Sequence, residues 1–260
     1  MNDDVLIKEE KDCTVILSLN RPKAMNSLNF ELLYAIRDQI DELLYRSDIR
    51  TVIITGAGEK AFCAGADLKE RATLSQDEVK KFILTIRNLL TSIQNLNKPV
   101  IAAINGIALG GGTEIALAAD IRIAADTATM GLTETRLAII PGGGGTQRLP
   151  RIIGVAKAKE LIFTGKRVDA REALDINLVN KVCRPEDLMD QCMEMAEMIK
   201  ETGPIAVEMA KYAINQGIET DLATGLAIES NAYRVTIPTK DRVEGLTAFR
   251  EKRKPVYKGR

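Results

Sequence analysis

The chain has 260 residues, with 36 Lys plus Arg against 36 Asp plus Glu, no His and no Trp. Balanced charge offers no global positive field for nucleic acid, and 45% hydrophobic against 28% charged residues is the composition of a folded chain. Without His, the Ser–His–Asp and Cys–His nucleophiles, His-ligated zinc and a His general base are all excluded. Acid–base chemistry near neutral pH then falls to carboxylates, Lys, Tyr or Cys.

The opening MNDDVLIKEEKD is polar and acidic, unlike a signal or transit peptide. Residues 14–19 (TVILSL) predict a β-strand ended by Asn20-Arg21-Pro22. Over 30–45, Leu32, Leu33, Ile36, Ile40, Leu43 and Leu44 recur at helical spacing. Residues 48–55 return to strand and stop at Gly56-Ala57-Gly58. A helix is predicted over 75–96, because Ser75 with Glu78 three residues on is a capping box. Lys98-Pro99 ends it, and 100–104 (VIAAI) reads as a fully buried strand. The apolar run around 100–109 is too short to span a membrane. Gly110-Gly111-Gly112, a short helix through Ala119 and a strand at 121–124 follow. After Gly142–Gly145, helices dominate to the end.

This alternation predicts an α/β domain over residues 1–200 and a helical appendage over 201–260. Cys13, Cys63, Cys183 and Cys192 form no CxxC pair. Reduced, mostly buried thiols in a soluble, cytoplasmic protein are therefore expected.

Three segments carry candidate chemistry. In the first, a buried strand runs into Gly110–Gly112 and then a helix that holds Glu114 in its first turn. Glycine lets a ligand approach the backbone, and a helix N-terminus offers N–H donors to an oxyanion. The same dipole is expected to favour ionised Glu114 and suit it to a base's role. A capped tight turn is the structural alternative. In the second, 60–70, small residues follow a strand at the same sheet edge. Cys63 has no His to activate it and reads as a buried thiol. In the third, Glu134 stands among apolar neighbours. It either divides acid and base roles with Glu114 or pairs with Arg136 or Arg148 at the surface. No GxxxxGK[ST] or GxGxxG is present, so Gly142–Gly145 reads as a flexible or close-packing turn, not a nucleotide site.

Six ordered motifs then carry a resemblance: NRPKAMNSLN (20–29), AFCAGADLKE (61–70), KPVIAAINGIALGGGTEIALAADIRIA (98–124), MGLTETRLAIIPGGGGTQRLPRIIG (130–154), FTGKRVDAREALDINLVNKV (163–182) and AFREKRKPVYKG (248–259). Together they resemble the crotonase (enoyl-CoA hydratase/isomerase) superfamily over essentially the whole chain. The resemblance implies a ββα spiral core, a helical C-terminal region that assembles trimers or dimers of trimers, and an acyl-CoA thioester substrate. It implies no metal or redox cofactor, since coenzyme A enters with the substrate. By motif position, the Ala66 and Gly111 amides form an oxyanion hole, and Glu114 and Glu134 match the catalytic pair of hydratases. Coenzyme A contacts map to Lys23, Ala24 and the stretch Ala64, Ala66, Asp67 and Leu68. Phe249 and Lys252, from a neighbouring subunit, map to the nucleotide end.

The implied reaction is hydration of a short or branched 2-enoyl-CoA. Segments 62–72, 130–150 and 213–249 are most similar to the branch acting on 3-methylglutaconyl-CoA. Its distal carboxylate needs a cationic partner, for which Arg71, Arg87 and Arg136 are candidates. The alternatives are a Δ3-Δ2 enoyl-CoA isomerase and a non-catalytic RNA-binding homologue. RNA binding in that branch is assigned to a lysine-rich helix before the second strand. Here that segment sets Arg37, Arg46 and Arg50 against Asp38, Asp41, Glu42 and Asp48, so RNA is not expected as a partner.

Overall fold

The computed structural model describes residues 4–260; the first three residues of the polar start lie outside them. Most of the rest of that start is a strand, which the sequence pattern did not predict. β1 (Leu6–Lys11) pairs antiparallel with β2 (Thr14–Leu19). Its charges hid it: Lys8, Glu9, Glu10 and Lys11 give a sheet edge a solvated, aggregation-resistant border, not a buried alternation.

α1 (Phe30–Leu44) starts where the Asn29 side chain accepts from the Leu32 amide, and buries Leu32, Leu33, Ile36, Ile40 and Leu43. β3 (Thr51–Gly56) begins later than the expected 48, because pairing with β2 starts at Thr51 opposite Thr14. The chain then steps into a second sheet through β4 (Ala61–Cys63), makes the single turn α2 (Leu68–Arg71), and enters α3 (Gln76–Asn95). The α3 capping box forms as expected, with Glu78 accepting from the Ser75 amide at 2.8 Å.

The same step repeats. β5 (Val100–Ile104) lies in the first sheet, β6 (Ile107–Leu109) in the second, and α4 (Gly111–Ala118) follows. β7 (Ile121–Ala125) and β8 (Thr129–Gly131) repeat it, followed by α5 (Gly145–Ile153) and α6 (Val155–Thr164). β9 (Val168–Asp169), α7 (Ala170–Asp175), β10 (Lys181–Cys183) and α8 (Leu188–Lys200) complete this part. The first sheet runs β1-β2-β3-β5-β7-β10, parallel except for β1; the second runs β4-β6-β8-β9, with only β9 antiparallel. Successive β–β–α turns of the chain are thus a ββα spiral. The second sheet escapes sequence reading because its strands are two or three residues long and show no usable period.

One large apolar core fills the space between the sheets and α1, α3 and α4. A smaller one joins Ile16, Ile53 and Ile101 to Leu188, Cys192 and Ala196 of α8. Each fully buried Leu or Ile contributes about 1.5–3 kcal/mol. Cys63 and Cys192 are buried, but Cys13 and Cys183 are only half-buried, short of the expectation.

α9 (Pro204–Gly217), α10 (Leu222–Thr236) and α11 (Lys240–Glu251) close the chain. They bury almost nothing of their own. Ile214, Ile218, Leu222, Tyr233, Leu246 and Phe249 are all exposed. Among the described residues, no helix is long and apolar enough to cross a membrane.

Candidate active site

The N-terminus of α4 is tied down from three sides. The Thr113 hydroxyl donates to the Ala108 carbonyl at 2.6 Å and accepts from the Gly131 amide at 3.1 Å, joining the ends of β6 and β8. Gly112 packs so tightly on β4 that a Cβ there would land on the Cys63 carbonyl oxygen. Glycine at 112 is therefore a packing requirement.

Around this end lies a cavity of about 320 Å³. Ala64, Gly65, Ala66 and Leu68 form one edge and Leu109, Gly110 and Gly111 the next. Glu114, Glu134 and Gly142–Gly143 form the floor, and Phe82, Ile83 and Ile86 of α3 the apolar wall. Leu28 donates to the Gly65 carbonyl and accepts from the Asp67 amide, each at 2.8 Å, so the Ala66 N–H points the other way. On that side Gly111 is so near that a Cβ on Gly65 would sit 3.5 Å from its nitrogen. Among the described residues, neither the Ala66 nor the Gly111 amide has an acceptor. Two adjacent, unsatisfied donors facing a cavity can stabilise a negative oxygen.

Both glutamates face this cavity. Glu114 is 2% exposed, and its Oε1 accepts from the Gly143 and Gly145 amides, each at 2.8 Å. Of the two readings of the second glycine run, the close-packed one holds, and what sequence reading missed is that it clamps Glu114. Arg148 braces the clamp, donating to the Gly143 carbonyl at 2.8 Å and to Gln94 Oε1 at 2.7 Å. The helix dipole does not decide the Glu114 charge as expected. Burial pushes its carboxyl up, against the downward pull of the Gly145 and Gly143 amides and the Arg148 cation.

Glu134 begins one turn of 3₁₀ helix, Glu134–Leu137. It pairs with neither arginine: Arg148 is engaged as above, and Arg136 donates to the Thr164 carbonyl at 3.3 Å. Its buried Oε2 has no hydrogen-bond partner among the described residues. Burial first, and the Glu114 charge second, raise its carboxyl to about 7. The two carboxylates thus sit in different environments, one gripped and one bare, as a division of acid and base roles requires. Burial raises the Cys63 thiol to about 12, consistent with an inert side chain.

A match to the family described as enoyl-CoA hydratase/isomerase spans residues 9–260. The chain belongs to the enoyl-CoA hydratase/isomerase family. It is 51% identical to human mitochondrial methylglutaconyl-CoA hydratase, over 97% of this chain and 76% of that protein. It is 46% identical to a short-chain-enoyl-CoA hydratase of Clostridium acetobutylicum, over 98% of this chain and 97% of that one. The crystal structure of an enoyl-CoA hydratase from Bacillus anthracis superposes with a TM-score of 0.97 at 53% identity, covering 98% of this chain and all of that one. The crotonase-type fold expected from the motifs is the fold of this family member.

The remaining expected residues divide. Ala64, Ala66 and Leu68 line the cavity. Asp67 caps α2 and pairs with Arg21 at 2.8 Å, so its carboxylate is already used. Lys23 is exposed beside a separate cleft formed with 57–61, and Ala24 lies in the same 3₁₀ turn, Pro22–Ala24. Phe249, 87% exposed near the end of α11, and Lys252, its C-cap, do not line the cavity of their own subunit, and the place expected for them is a neighbouring subunit's site. Arg71 and Arg136 line it; Arg87 is exposed elsewhere on α3 and does not. Arg167 also lines it, and nothing in the sequence had marked that arginine.

Proposed function

We propose that the protein is a 2-enoyl-CoA hydratase acting on short or branched acyl chains, a class that includes 3-methylglutaconyl-CoA. One observation carries the reading: a buried and a half-buried carboxylate of unlike environment share a cavity with two acceptor-free amides. The thioester carbonyl accepts from the Ala66 and Gly111 N–H groups. Glu114, ionised, takes a proton from water as its oxygen bonds to Cβ. The C=C electron pair moves through Cα to the thioester oxygen, where the amides hold the enolate. Glu134, protonated, then delivers its proton to Cα as the carbonyl re-forms. Water is consumed, and one proton passes into the glutamate pair as another leaves it. Dehydration of a 3-hydroxyacyl-CoA is the reverse.

The relatives' names support the substrate class. The exposed apolar side chains of α9–α11 support self-association through the C-terminal helices, as a trimer or a dimer of trimers. The direct test is hydration of crotonyl-CoA by the wild type and by Glu114→Gln. The variant is expected to lose about two to four orders of magnitude in kcat with the fold intact. Undiminished hydration overturns the mechanism. Turnover of a 3-enoyl-CoA but not of a 2-enoyl-CoA would instead make the protein an isomerase.

A further inference from the structure

Arg71 ends α2 and lines the cavity, half-buried, with its guanidinium carbon 5.6 Å from the centroid of the Phe82 ring. Among the described residues, its guanidinium has no hydrogen-bond or ion-pair partner. The nearest acids along its own turn are occupied: Asp67 by Arg21, and Glu70 by the Phe30 amide at 3.2 Å. The other two cavity arginines differ. Arg136 and Arg167 are exposed, and Arg136 is already donating to a carbonyl. Arg71 alone lies against the apolar wall that an acyl chain would follow.

Helix α3 measures where that guanidinium stands. Ile86 abuts Gly111, with its Cδ1 3.2 Å from where a Cβ would be, and Ile83 abuts Gly142 at 3.0 Å. Phe82, which carries Arg71, is four residues before Ile86, about 6 Å along the helix axis. Four C–C bonds of about 1.5 Å in a zigzag chain also span roughly 5 Å. An acyl group whose C1 carbonyl sits on the Gly111 amide and whose chain follows α3 from Ile86 toward Phe82 brings its C5 level with the ring that carries Arg71.

We propose that Arg71 is the receptor for a terminal carboxylate at C5 of the acyl group, making this site selective for dicarboxylic 2-enoyl thioesters. A planar fork of donors matches a carboxylate bidentately. An uncharged chain in the same slot leaves those donors without acceptors, and sites built for a polar group discriminate against substrates that lack it.

The assignment rests on the hydratase reading, and the test separates the two. Glutaconyl-CoA and 2-hexenoyl-CoA are near in length, differ in the terminal carboxylate and share the whole of coenzyme A, so contacts to its phosphates cancel in the ratio of their kcat/KM values. The wild type is expected to favour glutaconyl-CoA at least tenfold. Arg71→Met is expected to lower that ratio about ten- to a hundredfold, and Arg71→Lys to restore part of it. Equal losses on both substrates would mean that Arg71 holds the coenzyme A phosphates, and would overturn the proposal. So would an unmoved ratio. Should Arg71→Met fail to fold, the wild type still decides: glutaryl-CoA is expected to inhibit at least tenfold more tightly than hexanoyl-CoA, and equal inhibition overturns the assignment. A wild type that hydrates both enoyl thioesters without preference defeats Arg71 alone; one that hydrates neither defeats the hydratase reading with it.

Discussion

The Gly143 amide donates to Glu114 Oε1 at 2.8 Å, and a Cβ on Gly143 would stand 2.7 Å from the other oxygen of the same carboxylate. Residue 143 therefore sets both the grip on Glu114 and the space it needs. The same Cβ would meet Leu90 at 2.9 Å, so the loop cannot shift freely away. Gly143→Ala is expected to displace the carboxylate by a few tenths of an ångström to an ångström, lowering kcat for hydration by about tenfold to a thousandfold. KM should move far less. Wild-type kcat in a folded Gly143→Ala enzyme would show that the clamp does not position the base.

Arg148 acts one bond further out, through the Gly143 carbonyl, and its charge also pulls the Glu114 carboxyl down. Removing it should loosen the clamp and let burial raise Glu114 further. In Arg148→Ala the acidic limb of the kcat/KM profile is expected to move to higher pH, with kcat down about ten- to a hundredfold. Arg148→Lys should recover the position of the limb better than the magnitude of kcat, since it restores the charge but not the fork held by Gln94 and Gly143. A uniform fall in rate with the limb unmoved would reduce Arg148 to a structural part.

How much of this was legible depended on the kind of signal each residue leaves. α1 and α3 announced themselves because apolar residues recur every three or four positions and Ser75 and Glu78 cap reciprocally. β5 was legible as an unbroken apolar run. β4, β6 and β8 were not, although they place the site, because a three-residue strand stabilised by its neighbours has no period to read. At the site, Glu114 was visible from Gly110–Gly112 immediately before it. Its clamp lies some thirty residues on at 143–145, Arg148 lies beyond that, and Gln94 lies on the other side in the chain, on α3. Such contacts are made only by tertiary folding. The second glycine run was a usable hint, since four successive glycines imply a backbone that something must approach closely.

Glu134 pays for its position in stability. Its carboxyl is raised from an ordinary 4.5 to about 7, so the folded protein binds a proton that the unfolded chain releases between those values. That stabilising proton is fully present below about 4.5 and lost as pH rises through about 7, so the wild type weakens across this window. Glu134→Gln has no such titration. The variant is expected to be inactive in hydration yet more stable than the wild type at pH 8, by roughly 2–3 kcal/mol after allowing for solvent at the cavity mouth. The gap should shrink toward pH 5. Thermal or denaturant unfolding at the two pH values measures it, and a gap that is constant or reversed would contradict a bare, buried carboxyl at 134.

The same carboxyl predicts the pH dependence of the reaction in both directions. Hydration starts with Glu114 ionised and Glu134 protonated; dehydration starts with the proton on Glu114 and Glu134 ionised. These are tautomers of a pair that holds one proton, and pH cannot alter their ratio. Above about 7 the pair loses that proton from Glu134, and below its first ionisation it gains a second. Values of kcat/KM for crotonyl-CoA hydration and for 3-hydroxybutyryl-CoA dehydration should therefore trace the same bell, with an alkaline midpoint near 7 for the free enzyme. Measuring both profiles in one buffer series checks this. A rate flat to pH 9, or alkaline limbs that differ between the two directions, would mean that the transferred proton does not reside on this pair.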